Sequence, residues 1–415
     1  MHITNAIVVE TRGGHYNEDL DAIRAGARRD GYFYEGEPQA RGFTSIRQPS
    51  EAFSIVLMLD SGGLVVGDGM SVAYSAAGGR AGRFRVKQQI PFVQDVCDFL
   101  KGRPITSFTE MCADLEAQSF DDRLHRAAAF YGATQALVQA VALSKSKTPA
   151  EVLAAHFGLA VSDAMIPINV QCGDERHSGV DKAILKRADV LPHGLINDLQ
   201  VLGPGGEGLR KYISWMVRRI AKYSDGDYCP EFHIDAYGMI GTEFGHQVDR
   251  MADYIASLHD AATPYRLCLE TPVLMNSREA QIELFGALRQ ALQKRGAPVS
   301  LIVDEWANNL DDIRAFITAG VTDMVNVKSP DLGAITNSGQ AILDCQAGGV
   351  RPILGGSCTD TDQSARMMAH LALAVKPAWV LARPGMGIDE GLQIVHNEMT
   401  RTLAVITARK RLALE

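Results

Sequence analysis

Three carboxylates recur at a nearly constant interval in the C-terminal half of this chain. Each closes a short apolar run: Asp235 in FHIDAYG, Glu270 in RLCLETP and Asp304 in SLIVDEW. The intervals are 35 and 34 residues, the length of one strand–helix unit. The next apolar run closes on Lys328, in MVNVKSPDLG. A single acidic residue after a strand is commonly a cap of the following helix. Three in series converge on one rim, where like charges raise one another's pKa unless a cation intervenes. Hard oxygen donors with water in the remaining positions suit Mg2+, or Mn2+. Lys328 would point toward that cation. The cation and the barrel wall are expected to lower its pKa, which suits a general base. The alternatives are an exposed lysine or a salt bridge to Asp304.

Such a set suits removal of a proton next to a carboxylate. That proton is less acidic than a lysine ammonium by at least ~15 pK units, or roughly 20 kcal/mol at ~1.36 kcal/mol per unit. A lysine alone does not bridge that gap. A metal on the substrate carboxylate does, by stabilising the developing ene-diolate. Loss of water, loss of ammonia, racemisation and cycloisomerisation share this first step, so the residue set does not choose among them.

Further candidates lie on other runs. His193, in ADVLPHGLIND, reads as an acid/base group or a hydrogen-bond donor to an anion, or as a structural histidine. Gln171 reads as an amide orienting a substrate carboxylate or amine, or as a cap. Gly355-Gly356-Ser357-Cys358 reads as a carboxylate cradle or a tight turn. Cys358 has no basic sequence neighbour and is not read as a nucleophile. His233 shares a strand face with Asp235 and either supports the site or packs. GPGGEG at 203–208 lacks the residues of a phosphate loop and reads as a turn. Gly78–Arg83 reads as a basic turn, with a capping loop as the alternative.

Residues that must converge need a scaffold, and the spacing supplies one. Eight apolar runs alternate with helical stretches: Ile166–Gln171, Ala188–His193, Glu231–Ala236, Arg266–Thr271, Val299–Asp304, Asp323–Lys328, Arg351–Gly356 and Ala378–Arg383. Leu191-Pro192 makes the second the weakest. Between them, Leu209, Tyr212, Ile213, Met216 and Ile220 mark one helix face. Alternating strand and helix implies parallel strands and an α/β fold, a (β/α)8 TIM-like barrel with catalytic groups at the C-terminal strand ends.

The first third reads differently. His2–Thr11 is apolar and β-branched. Phe53–Leu59 and Leu64–Val66 flank the turn Asp60-Ser61-Gly62-Gly63, and Arg123–Leu143 reads as a buried helix. We therefore expect an N-terminal α+β capping domain over 1–160 and the barrel over 161–415. The helical stretch Gly391–Leu414 is placed to pack back on the first domain.

Composition removes other classes. The 415 residues are 46% hydrophobic and 22% charged, enough to bury a large core. With 41 basic and 49 acidic side chains the net charge is −8, which leaves no footprint for nucleic acid and no polybasic membrane patch. No apolar run reaches the ~18 residues of a membrane span, and Met1–Glu10 lacks the pattern of a signal peptide. Seven scattered cysteines without CxxC spacing read as reduced thiols in a cytoplasmic protein.

The stretches AGGRAGR, ADVLPHGLIND, FHIDAYGMIG, MADYIASL, VDEWANN, VKSPDLG, GGSCTDT and PGMGIDEGLQIVHNEM carry a resemblance beyond the carboxylates. Along nearly its whole length the chain resembles the methylaspartate ammonia-lyase family of the enolase superfamily. The resemblance implies reversible elimination of ammonia from (2S,3S)-3-methylaspartate to mesaconate. It implies Mg2+ on Asp235, Glu270 and Asp304, Lys328 as the base for the C3 proton, and His193 as a second active-site group. Gln171, Ser357 and Cys358 match positions that contact substrate. A K+ activator and a homodimer are further implications.

Three positions depart from the family pattern. Ala73, before Tyr74 and Ser75, stands where the family has Gln. Asn326, two residues before Lys328, also replaces Gln, and Ser357 replaces Thr. Leu381 is a candidate wall for the substrate methyl. These departures bear on substrate range, not reaction class. The alternatives are another enolase-superfamily lyase or epimerase, or a silent metal-binding scaffold. The Lys-x-Lys common on the second strand of the epimerase and dehydratase subgroup is replaced here by His193, which argues against it.

Overall fold

The computed structural model describes all residues except 119, 121–125 and 413–415. Near the N-terminus the chain runs through β1 (Ile3–Glu18), the hairpin β2 (Arg28–Asp30) and β3 (Phe33–Glu35), then β4 (Arg47–Leu59) and β5 (Leu64–Gly69). β1, β4 and β5 form an antiparallel sheet with β4 central. The expected turn at 60–63 joins β4 to β5, pairing Val56 with Val66. Helix Arg126–Ser144 packs on β5 at contact distance: a Cβ on Gly67 would meet the Gly132 carbonyl at 1.9 Å. This is the helix expected from residue 123. Its first three expected residues lie outside the described ones.

The C-terminal part is a closed barrel of eight parallel strands. They are β6 (Ile168–Asn169), β7 (Val190–Leu195), β8 (Glu231–Asp235), β9 (Leu267–Glu270), β10 (Ser300–Val303), β11 (Met324–Val327), β12 (Arg351–Leu354) and β13 (Trp379–Leu381). Every expected run supplies one strand, in order, and β13 closes on β6 through Val380–Ile168 and Leu381–Asn169. The helix Glu207–Tyr223 buries the five apolar residues that its spacing marked.

Strand pleating explains the convergence of the polar residues. Side chains alternate between faces, so residues two apart share the interior. Cys268, Ile302, Met324, Ile353 and Trp379 form, with Val190, an apolar plug across the barrel. Two residues further along, the same interior rows carry Glu270, Asp304 and Asn326, and two beyond Asn326 lies Lys328. Below the plug, Arg351 Nη2 pairs with Glu231 Oε1 at 2.8 Å.

The run interrupted by Pro192 keeps its place as a strand through a bulge. Pro192 pairs with His233 and Gly194 with Ile234, which leaves His193 as the extra residue, at φ 42°. Bulges re-aim side chains, and this one puts His193 beside the barrel's carboxylates.

The C-terminal helix Glu390–Leu412 lies mainly along helix Asp362–Val375, with Arg366 and His370 each 3.2 Å from Glu398. It also reaches the first domain, where Arg409 pairs with Glu151 at 3.1 Å. Residue 414 lies outside the described residues. Among those described, no helix is long and apolar enough to cross a membrane.

Behind the barrel mouth a buried ion pair of the barrel receives a tyrosine from the N-terminal part. Arg383 Nη1 lies 3.0 Å from Asp360 Oδ2, both side chains fully buried, and Asp360 also accepts from the Tyr131 hydroxyl at 3.0 Å. Removing one partner of such a pair strands a buried charge. Arg383→Met is expected to lose about 3–5 kcal/mol of unfolding free energy, read as a lower urea midpoint. An unchanged midpoint would show that Tyr131 and Ser364 suffice to hold Asp360.

Candidate active site

The three strand-end carboxylates meet as their spacing required. Asp235, Glu270 and Asp304 each offer a ligand oxygen within 4.8 Å of the others, and all three are buried. Glu270 is held from below: Asn326 Nδ2 donates to its Oε1 at 2.8 Å, and His233 Nε2 bonds its Oε2. Asp304 is flanked by two cations, Lys328 Nζ at 3.1 Å and Arg80 Nη2 at 2.9 Å. Asp235 Oδ2 is buried with no hydrogen-bond partner.

That orphaned oxygen fits a divalent cation. Burial first, then the Glu270 charge, pushes the Asp235 carboxyl up. A hard cation held by these three carboxylates would relieve the conflict. His193, His233 and Glu270 form a second cluster at similar spacing. There His233 spends both nitrogens internally, on Asn169 and on Glu270, so the carboxylate set is the better donor group.

His193 stacks on His233 with ring centroids 4.4 Å apart, its Nε2 3.5 Å from Asp235 and 3.4 Å from Glu270. The neighbouring imidazoles are driven apart in basicity. Burial alone would lower His193, but Asp235 and Glu270 outweigh it and carry its pKa up to about 9. Burial and then the charge of His193 push His233 down to about 4. For Lys328 too, burial lowers the pKa, but Asp304 and Glu270 reverse the sign and raise it. The lowering expected from the sequence is the effect of the cation that these same carboxylates would hold beside the ammonium.

A small cavity opens on this cluster. Ala73, Gln171, His193, Lys328, Ser357, Cys358 and Leu381 all line it, as does Asp304. Asn326 does not; its amide is spent on Glu270. The glycines of 355–358 have a different use from an anion cradle. A Cβ on Gly356 would fall 1.4 Å from Arg383 Nη1, and the Ser357 N–H donates to Asp360 at 2.8 Å. The Ser357 hydroxyl still borders the cavity, where its oxygen accepts the Ala73 N–H at 2.9 Å. Burial pushes the Cys358 thiol up to about 12, which agrees with reading it as no nucleophile.

Among the lining residues not singled out by sequence are Glu18, Tyr74, Arg80 and Glu305. Arg80 and Glu305 had a signal. Arg80 lies in AGGRAGR, and the stretch is a cap over the site, not a plain basic turn: Gly78 and Gly79, both at positive φ, press on Glu305 and Trp306. Glu305 directly follows a strand-end carboxylate. Glu18, at the end of β1, and Tyr74, in the turn after β5, had none, since no local pattern of the first domain tells which residue reaches the barrel.

Family models describing the N-terminus and the C-terminus of methylaspartate ammonia-lyase match residues 1–158 and 160–408. Methylaspartate ammonia-lyase 2 of Carboxydothermus hydrogenoformans is 42% identical over 413 residues, 99% of each chain. The crystal structure of the Citrobacter amalonaticus methylaspartate ammonia-lyase containing (2S,3S)-3-methylaspartic acid superposes with a TM-score of 0.93 at 41% identity, covering 98% of this chain and all of that one. The Mg complex of β-methylaspartase from Clostridium tetanomorphum gives 0.90 at 40% identity, covering 99% of this chain and 100% of that one. A muconate cycloisomerase from Pseudomonas fluorescens, at 14% identity and a TM-score of 0.63, covers 94% of this chain and 88% of that one and shares the fold.

Arg80 pins the capping stretch by pairing with Asp304 and, at 2.7 Å, with Asp331. Arg80→Met should therefore speed hydrogen exchange of the amides of residues 76–84 while barrel-strand amides keep their protection. Unchanged exchange there would mean that Gly78 and Gly79 packing alone holds the cap.

Proposed function

The chain belongs to the methylaspartate ammonia-lyase family, and we propose that its own reaction is the reversible elimination of ammonia from (2S,3S)-3-methylaspartate to give mesaconate. The observation that carries proton abstraction is Lys328 Nζ, 3.1 Å from Asp304, the two lining one cavity at the edge of the three-carboxylate cluster; the family match selects ammonia as the group that leaves. The chain is a carbon–nitrogen lyase, and that pairing is what proton abstraction beside a carboxylate needs.

Asp235, Glu270 and Asp304 would hold Mg2+. A divalent cation there supplies Lewis-acid stabilisation of the charge that develops on the substrate carboxylate. Lys328, as the neutral amine, takes the C3 proton, and the C2–N bond then breaks to release ammonia. His193 stands beside the same carboxylates as the second acid/base group, serving the opposite C3 configuration. Gln171, Ser357 and Cys358 orient the distal carboxylate and amine, and Leu381 bounds the methyl. Asn326 acts on substrate through Glu270. The buried walls exclude water, which strengthens each of these contacts. Mn2+ as a substitute metal, K+ activation, a homodimer and a cytoplasmic location complete the proposal on the family resemblance.

Absorbance near 240 nm reports the unsaturated diacid. With 3-methylaspartate, Mg2+ and K+ the absorbance should rise. EDTA should abolish the rise, and Lys328→Ala should slow it by about 10²–10⁴-fold. Folded, metal-loaded protein that produces no rise would overturn the assignment.

Ala73, Asn326 and Ser357 are each shorter than the family residue. Ala73 lies on the cavity wall, so the pocket should tolerate a larger C3 substituent or an N-substituted aspartate. In steady-state kinetics 3-ethyl- and N-methylaspartate should retain kcat/KM within about tenfold of 3-methylaspartate, a difference near 1.4 kcal/mol. A strong preference for plain 3-methylaspartate would exclude the wider range.

A further inference from the structure

We propose that Glu18, supplied by the N-terminal domain, receives the substrate's ammonium and so selects an amino acid over its deaminated product. The inference rests on the lyase reading above and adds a specificity-determining residue to it.

Glu18 ends β1 with its side chain 5% exposed and lines the cavity. Its backbone N–H donates to the Ala73 carbonyl at 2.9 Å, so the two residues share one wall. The Tyr74 hydroxyl and the Cys358 thiol lie beside the carboxylate. Behind it stands Arg47, whose Nε donates to Glu18. Arg47 is not among the residues lining the cavity. Its guanidinium is enclosed by the rings of Tyr34, Tyr32 and Tyr16 at 4.9, 5.5 and 5.8 Å, and by Asp174 at 3.0 Å. The pair therefore presents its negative member to the cavity and keeps its positive member out of it.

The substrate carries two carboxylates and one ammonium into a cavity whose polar walls are largely buried. One carboxylate goes to the metal pole. The ammonium brings three donors and a positive charge, and a buried cation requires a charged or strongly accepting partner. Apart from the metal ligands, the carboxylates lining the cavity are Glu305 and Glu18. Glu305 is engaged by the Thr271 hydroxyl at 2.5 Å and lies 3.6 Å from Arg80, beside Asp304. Glu18 stands apart, next to Cys358 and the Ala73 wall. The Ser357 oxygen accepts the Ala73 N–H, so its own O–H remains to donate to the second substrate carboxylate. The geometry thus gives each charged group of the substrate a complementary partner.

This contact exists only before elimination. When the C2–N bond breaks, the nitrogen leaves as neutral ammonia, and mesaconate has nothing to offer Glu18. Glu18→Gln keeps an acceptor oxygen for Arg47 and removes the charge. Its KM for 3-methylaspartate should rise by about ten- to a hundredfold, the range for losing a charge-assisted hydrogen bond. The inhibition constant of mesaconate should stay within about twofold, roughly 0.4 kcal/mol. If Glu18→Gln does not fold, Glu18→Asp carries the same test, since withdrawing the carboxylate by one methylene should raise KM and leave mesaconate alone. Parallel weakening of substrate and mesaconate would mean a structural role and would overturn the proposal, as would no change in either constant. Absence of turnover by the wild-type protein would instead overturn the lyase reading itself.

Discussion

Mutual repulsion among Asp235, Glu270 and Asp304 is the constraint around which the barrel mouth is organised. At an effective dielectric of about 20, two like charges about 4 Å apart repel by about 4 kcal/mol. Three such pairs amount to a large part of the 5–15 kcal/mol that separates a typical folded domain from its unfolded state. The chain meets most of that repulsion with its own groups. Lys328 and Arg80 flank Asp304, and His233 and Asn326 hold Glu270. Asp235 is left with the weakest support: its Oδ2 makes no hydrogen bond, and His193 Nε2 stands 3.5 Å away. A divalent cation held by the three carboxylates would supply counter-charge there.

The same economy explains why the first domain is part of the site and not an appendage. Arg80 neutralises a barrel carboxylate from outside the barrel. The Ala73 N–H fixes the Ser357 hydroxyl, and Glu18 brings a buried charge backed by its own counterion. Each contact closes the mouth and also sets its chemistry, so covering the site and completing it are one event. Tyr131 and Arg383 converge on Asp360 behind this surface, fastening the domain at a second point away from the reacting groups.

How much of this was legible in the sequence follows from which periods generate it. Residues placed by strand pleating and by the repeat length were readable: Asp235, Glu270, Asp304 and Lys328 all stand at the expected rim. Gly391–Leu414 was placed on the first domain, yet the helix spends most of its length on the barrel's own helix and sends Arg409 across. His193 was readable only as a candidate. Its direction depends on a bulge at Pro192, the feature that made its strand look weakest. Asn326 was expected at substrate and turns to Glu270. The shorter amide, on an interior row of β11, meets the carboxylate of β9 across the barrel interior before it reaches the cavity, and Gly355, whose added Cβ would lie 1.8 Å from Asn326 Oδ1, makes room for it. The direction of the Lys328 shift turns on the cation: Asp304 and Glu270 by themselves raise it, and the expected lowering comes from the metal they would hold. Glu18 was invisible because its position depends on how two domains meet, which no local period encodes.

The polar row beneath the ligands shows how one protonation state is imposed on the site. Asn169 Nδ2 lies 2.6 Å from His233 Nδ1. An amide nitrogen only donates, so Nδ1 must accept, and the imidazole proton resides on Nε2. That proton points at Glu270, which can receive it only as a carboxylate. Burial and the adjacent His193 hold His233 down to about 4, so it does this as a neutral ring and adds no charge to a crowded site. The Asn326 amide donates to the other oxygen of Glu270, and that bond too requires an acceptor. Two neutral donors, delivered from strands on either side, thus keep Glu270 ionised and oriented without competing electrostatically for it. A lysine or arginine in either place would bind Glu270 more tightly and oppose the metal. The two hydrogen-bond donors beneath Glu270 are thus both neutral, and its cationic neighbour, His193, stands at 3.4 Å on the wall of the cavity.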